Sequence, residues 1–236
     1  SCFVFNKDLM TQLGMSVDDL NNTAAAGEWT LDVLYQYGKD VTFDLNGDGK
    51  IYYEDDRYNL TGWMMAAPYA LCYGTGIKFV GVVDGTPELT YTDDRVTDIY
   101  EKIYKVVVEQ QAYHVVDQNR YDTMFQVFTE GRALFSCLTL RLISSHVVDD
   151  MKDDFGILPV PKYDTHQKEY QSFVNGSTSL VMVAQTERDA EFVGAIMEAM
   201  ATYNYSYVTP NMFQVVTKLQ VAQDPMSAQM VDLEGA

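Results

Sequence analysis

Apolar residues along the chain alternate between short continuous runs and three-to-four spacings, a pattern that predicts an α/β architecture. The run Cys2-Phe3-Val4-Phe5 reads as a strand. Asn6-Lys7-Asp8 leads from it into a short helix that Gly14 can end in the left-handed conformation. A second helix opens at Trp29-Thr30, with Thr30 as its cap, Leu31, Leu34, Tyr35 and Val41 on one face, and Trp29 itself a core residue. Residues 44–62 are polar and turn-rich, and residues 63–83 are aromatic and apolar without a clean period. The clearest helix covers residues 93–110. There Val96, Ile99, Tyr100, Ile103 and Val107 keep the helical spacing, and Asp93 or Asp94 stands near the start, where the helix dipole favours an acid.

Residues 121–129 predict another helix, closed by Gly131, then 133–137 a strand and 138–148 a helix. Residues 155–160 read as a short strand bounded by Pro159 and Pro161, which have no amide to give a ladder. Residues 177–184 predict a further strand. Thr186 with Asp189 resembles a capping box for a helix running through Met200, and 209–233 are helical by pattern.

Composition narrows the function. Hydrophobic residues make up 47% and charged residues 21%, so the chain can bury a real core. Thirty-four acids against 16 lysines and arginines leave a net charge of −18, which argues against nucleic acid and against an anionic membrane surface. Any export signal is expected to have been removed or to lie outside these residues. Cys2, Cys72 and Cys137 are far apart and odd in number, with no C-x-x-C pair, so no disulfide and no zinc site is expected. His114, His146 and His166 stand in unrelated contexts, and neither a zinc-protease helix, a nucleophile elbow, a phosphate loop nor a dinucleotide fingerprint occurs.

One motif carries chemistry. Residues 44–55 fit the twelve-position calcium loop: Asp44, Asn46 and Asp48 supply oxygens at positions one, three and five, and Gly49 makes the sharp turn at six. Lys50 offers its carbonyl at seven, Ile51 anchors position eight, and Asp55 closes the shell at twelve. Calcium is a hard ion that takes six to eight oxygens, and a structural Ca2+ is the cofactor this spacing implies. A shorter Asp at position twelve and the absence of a following helix leave a tight Asn-Gly and Asp-Gly turn with solvated acids as the other reading.

Five stretches, taken in order, resemble the family 1 extracellular solute-binding proteins, the carbohydrate receptors of ABC importers. They are Phe3-Val4-Phe5-Asn6-Lys7-Asp8-Leu9, Gly27-Glu28-Trp29-Thr30-Leu31, the loop from Asp44 to Tyr58, Phe128-Thr129-Glu130-Gly131-Arg132-Ala133-Leu134-Phe135, and Asp154-Phe155-Gly156-Ile157-Leu158-Pro159-Val160-Pro161-Lys162. The resemblance implies a periplasmic-binding-protein-like fold in which two α/β lobes hold sugar in the cleft between them. The family's first-lobe segment before the opening strand has no match here. The chain is therefore expected to be a fragment: residues 1–176 as the second lobe with a calcium-loop-like insertion at 44–55, and 177–236 as a crossover strand and helices of a partial first lobe.

The resemblance further implies binding without chemistry, delivery to ABC permease subunits, an extracellular, lipoprotein-tethered location for the full-length protein, and a monomer. Flat sugar faces call for aromatic plates and hydrogen-bonding groups. Trp63, Tyr69 and Tyr73 are the expected ligand contacts, with Asn175 as a polar one. Two other readings remain open at this point. One is a hydrolase with its carboxylate pair hidden among the 34 acids. The other is a calcium-dependent interaction module of the dockerin kind, which carries two copies of the loop rather than one.

Overall fold

Asn6 ends the first strand and starts the first helix: its side chain accepts the Leu9 amide at 2.8 Å, the cap that lets β1 (Cys2–Asn6) run straight into α1 (Lys7–Gln12). The computed structural model describes residues 1–63, 66–90, 94–115, 118–172, 181–186, 188–212 and 224–235. After Gly14, which adopts a positive φ, come α2 (Val17–Ala25) and α3 (Leu31–Gly38). Thr30 caps α3 by accepting from Val33, as expected; Val41 is buried but lies beyond the helix end.

The aperiodic stretch after residue 57 resolves into β2 (Tyr58–Trp63), α4 (Ala66–Gly74) and an exposed hairpin of β3 (Val80–Val83) and β4 (Thr86–Leu89). Then α5 (Asp94–Tyr104) runs on into a π-helical turn at Lys105–Glu109. That turn corrects the helical reading of 93–110. Val96, Ile99 and Ile103 are buried as their spacing demands; in the π turn Val106 is fully buried and Val107 only partly, and Tyr100 is exposed.

β5 (Tyr113–Val115), a 3-10 turn at Gln118–Arg120, α6 (Thr123–Thr129), β6 (Ala133–Leu138), α7 (Leu140–His146) and β7 (Phe155–Leu158) complete the body. Its five strands lie in the order β5-β2-β6-β1-β7. β2 is parallel to β5 and β6, whereas β1 is antiparallel to both β6 and β7. Alternation along β1 sends Phe3 and Phe5 to one face, with Trp29, Leu60 and Phe135. Cys2 and Val4 go to the other, with Phe125, Phe128 and Ile143. Helices therefore cover both faces, and β6 is buried along its whole length. All three cysteines are buried free thiols.

The last part of the chain departs most from expectation. Of the strand predicted at 177–184, residues 181–184 carry no strand and the rest lie outside the described residues. Asp189, not Thr186, caps α8 (Ala190–Tyr203), accepting from Phe192. A second π turn at Asn204–Val208 and α9 (Thr209–Asn211) follow, and α10 (Pro225–Gly235) comes last. α10 packs on β7 and α2, with Met230 and Val231 fully buried. Ser227 accepts the Ile157 amide at 3.1 Å, and Lys7 pairs with Asp224 at 2.6 Å. No helix among the described residues is long and apolar enough to cross a membrane.

Candidate functional site

The strand registers define one edge of the sheet as special. Trp63, Val115, Leu138 and Leu158 are the last residues of β2, β5, β6 and β7, and pairing puts all four ends on the same side. β1 runs the other way, so Cys2, opposite Leu138, begins at that edge. Beyond the carboxyl ends of such strands the connecting loops part and leave a crevice, the usual place for a ligand in an open α/β sheet. Two passages of the chain meet there: the Ser172 hydroxyl donates to the Ser1 carbonyl at 3.0 Å, across 171 positions of sequence.

Trp63 stands at this edge, half-buried. Its ring meets Tyr121 edge-on at 5.3 Å, Tyr121 meets Phe125 at 5.4 Å, and Phe125 stacks on His146 at 4.3 Å. Burial, and then Asp122, push the Tyr121 phenol up from its ordinary range, which keeps it neutral and able to donate. The result is an aromatic ledge with a polar tip, suited to the apolar face and hydroxyl rim of an uncharged polyol. Sequence reading missed Tyr121, because only the fold carries α6 under the end of β2.

Tyr69 and Tyr73 stand on α4, which follows β2. Both project from the outer side of α4, 42% and 40% exposed; Tyr73 meets Phe79 edge-on at 5.8 Å, and Tyr69 lies near Tyr100 of α5. The ring contact of Trp63 is with Tyr121. Asn175 lies outside the described residues.

In the 44–55 loop, Gly47 and Gly49 take the positive φ that the curl requires. Asp44 accepts from the amides of Gly47 and Gly49 at 2.6 and 2.7 Å, Asn46 from Asp48 and Asp48 from Lys50. The carboxylate that ties the loop ends together is Asp56, which is buried, whereas Asp55 is exposed. Among the described residues no three His, Cys, Asp or Glu side chains converge on a metal-sized point. Asp44, Asn46 and Asp48 thus each turn a side-chain oxygen onto the amides of the loop itself.

The histidines offer no closed acid–base site among the described side chains. His146 is stacked on Phe125, and His166, 3.6 Å from Asp164, is 93% exposed.

No family model matches the chain, and no curated protein matches it in sequence. Solved structures do match. The ABC substrate-binding protein Lmo0181 of Listeria monocytogenes, in complex with cycloalternan, superposes on 98% of this chain with a TM-score of 0.57 and 12% identity. The maltose/maltodextrin-binding domain MalE of Bdellovibrio bacteriovorus, bound to maltotriose, superposes on 99% with a TM-score of 0.53 and 18% identity. The chain has the fold of these substrate-binding proteins. It spans 53% and 58% of their lengths, so it corresponds to roughly half of each receptor.

Proposed function

We propose that this chain forms one wall of a sugar-binding cleft in the extracellular substrate-binding subunit of an ABC importer, and that it binds its guest without altering it. The observation that carries the reading is the receptor fold over nearly the whole chain, in two proteins whose partners are a cycloalternan and a maltotriose. The Trp63–Tyr121 ledge at the carboxyl edge of the strands and the meeting of two chain passages at Ser1 and Ser172 support it. On this reading the full-length protein is a lipid-tethered monomer. Closure of its two walls around sugar makes the surface that the permease subunits recognise.

The test is a thermal-shift screen of neutral mono- and oligosaccharides on the full-length protein. A sugar at one hundred times its Kd should add about 2.7 kcal/mol of stability, a shift of several degrees. Trp63→Ala should weaken the same sugar at least tenfold by calorimetry, about 1.4 kcal/mol. No shift with any sugar overturns the proposal. Sugar returned as cleaved product, with turnover lost on one Asp or Glu substitution, favours the hydrolase instead.

We also propose that the 44–55 loop takes up calcium in the roughly 10⁻⁴–10⁻³ M range of extracellular modules, through Asp44, Asn46, Asp48, the Lys50 carbonyl and Asp55. The ligand spacing supports it, as do the carboxylate lone pairs that remain on Asp44 and Asp48 after their amide bonds. Millimolar calcium should raise the unfolding midpoint over the same protein in chelator, and Asp44→Ala should abolish the difference. A midpoint indifferent to chelator removes the metal.

A further inference from the structure

The loop that follows β7 and the start of α5 enclose a cavity of about 470 Å³ that the sugar reading does not use. Separate passages of the chain build it: Thr75 and Gly76 after α4, Arg95 in the first turn of α5, Tyr163 and Asp164 after β7, and Gln171. Tyr163 packs on the sheet face of Phe3 and Phe5, whereas Trp63 packs on the face of Cys2 and Val4. The cavity and the Trp63 ledge therefore lie on opposite sides of the sheet.

The walls are held in place by groups that spend their hydrogen bonds on one another. The Tyr163 hydroxyl donates to Asp98 at 2.6 Å, and its backbone amide donates to the Gln167 side chain at 3.1 Å. Gln167 in turn donates to the carbonyls of Gly74 and Glu169 at 2.8 and 2.9 Å. Arg95 and Lys102, on one side of α5, both lie over the Tyr163 ring, at 5.0 and 4.9 Å. Gly76 takes a positive φ, and a side chain there would run toward the Gln171 amide, 3.5 Å from its Cβ.

Other groups lining the cavity keep bonding capacity in hand. Arg95 gives a single N–H, to the Thr75 carbonyl at 2.9 Å, and the rest of its donor fork is unspent. Asp164 accepts the His166 and Gln167 amides at 2.9 and 3.1 Å through Oδ1 alone. Its Oδ2 has only the exposed His166 imidazole, 3.6 Å away. Burial works against the Asp164 charge, but those two amides, then His166 and the Arg95 guanidinium, hold its carboxyl below the usual range. Arg95 and Asp164 thus face the same cavity with opposite charge and do not close into an ion pair.

We propose that this cavity binds a free α-amino acid, its carboxylate on the Arg95 fork and its ammonium on Asp164 Oδ2, with the Gln171 amide beside them. The planar guanidinium matches a carboxylate in a two-bond geometry, and an ammonium supplies the N–H donors that Asp164 Oδ2 lacks. Net charge points the same way. A chain at −18 repels a free anion, and Arg95 repels a free cation, whereas a zwitterion is neutral overall and pairs with both groups. The site is separate from the sugar ledge, and neither depends on the other.

Calorimetric titration of the protein with a panel of free L-amino acids tests it. At least one should bind, and its N-acetyl and carboxamide derivatives, which each lack one charge, should bind about tenfold more weakly or worse. Arg95→Gln and Asp164→Asn should each weaken the same amino acid by about tenfold or more. Asp164→Asn keeps an oxygen for the two loop amides, and Arg95→Lys keeps the charge over Tyr163, so unfolding midpoints near that of the unsubstituted protein are expected for both. Arg95→Lys should retain part of the binding that Arg95→Gln loses. Trp63→Ala should leave amino-acid affinity unchanged. No heat with any amino acid at about 10 mM, equal binding of the blocked derivatives, or full affinity in Arg95→Gln or in a folded Asp164→Asn would each overturn the proposal. Loss of binding in Trp63→Ala would do so too, by moving the ligand to the other face of the sheet.

Discussion

Trp29→Ala is expected to lower the unfolding free energy by about 3–5 kcal/mol, the range for removing a large aromatic from a packed core. Trp29 is fully buried between Phe3 and Phe135, with ring centroids at 6.4 and 5.8 Å. Its indole N–H donates to the Pro159 carbonyl at 2.9 Å. The backbone around it is tied in as well: its carbonyl accepts the Lys162 amide at 3.0 Å, and the Leu31 amide donates to the Lys162 carbonyl at 2.9 Å. Truncation therefore opens a cavity, strands the Pro159 carbonyl, and loosens a seam that joins residues 29–31 to 159–162. For a chain of this size each kcal/mol moves the midpoint by about 2–4 °C, so the loss should approach 10 °C or more. Trp29→Phe separates the parts. It keeps most of the apolar volume and gives up the donor, and should cost only about 1–3 kcal/mol. Urea melts should be followed by circular dichroism, since Trp29 is one of only two tryptophans. An alanine variant within 1 kcal/mol of the unsubstituted chain would mean the seam is held elsewhere.

How far such residues could be read in advance depended on how local their reasons were. The Thr30 cap was legible, because it satisfies an amide three positions ahead, whereas the capping box at 186–189 was read too early, Asp189 being the cap. The opening strand and the buried β6 were legible from unbroken apolar runs. Errors came where a non-local fact decided. In the π turn at 105–109 the fully buried residue is Val106 rather than Val107, and no residue type announces that turn. Tyr121 joins Trp63 only because α6 packs on β2. α8 is the opposite case: its apolar stripe is easily read, yet none of its residues is buried. Asp56 was passed over for Asp55 because the calcium spacing counts twelve positions, whereas the loop is tied by the thirteenth.

That tie makes Asp56→Ala the second large expected effect. One carboxylate oxygen accepts the Leu45 amide at 2.8 Å and the other the Tyr52 amide at 2.7 Å, so a single side chain holds both ends of the 44–56 loop. Arg132 braces the same turn from β6, donating to the carbonyls of Tyr53 and Asp56 at 2.7 and 2.9 Å. The Tyr52 amide above all, then the Leu45 and Asn46 amides and the Arg132 charge, hold the Asp56 carboxyl below the usual carboxylate range, against burial, which works the other way. A group whose pKa falls on folding stabilises the native state fully above its unfolded pKa, near 4, and loses that contribution as pH falls through the lower folded value. Removing the carboxylate leaves two amides without their acceptor, and should cost about 2–4 kcal/mol at pH 7. The gap between Asp56→Ala and the unsubstituted chain should stay constant from pH 7 to about 5 and narrow below about 4. Urea melts at pH 7, 5 and 3 in chelator would follow it with calcium out of play. A gap that does not change with pH would mean that loop shape, not the ionised carboxylate, is what Asp56 supplies.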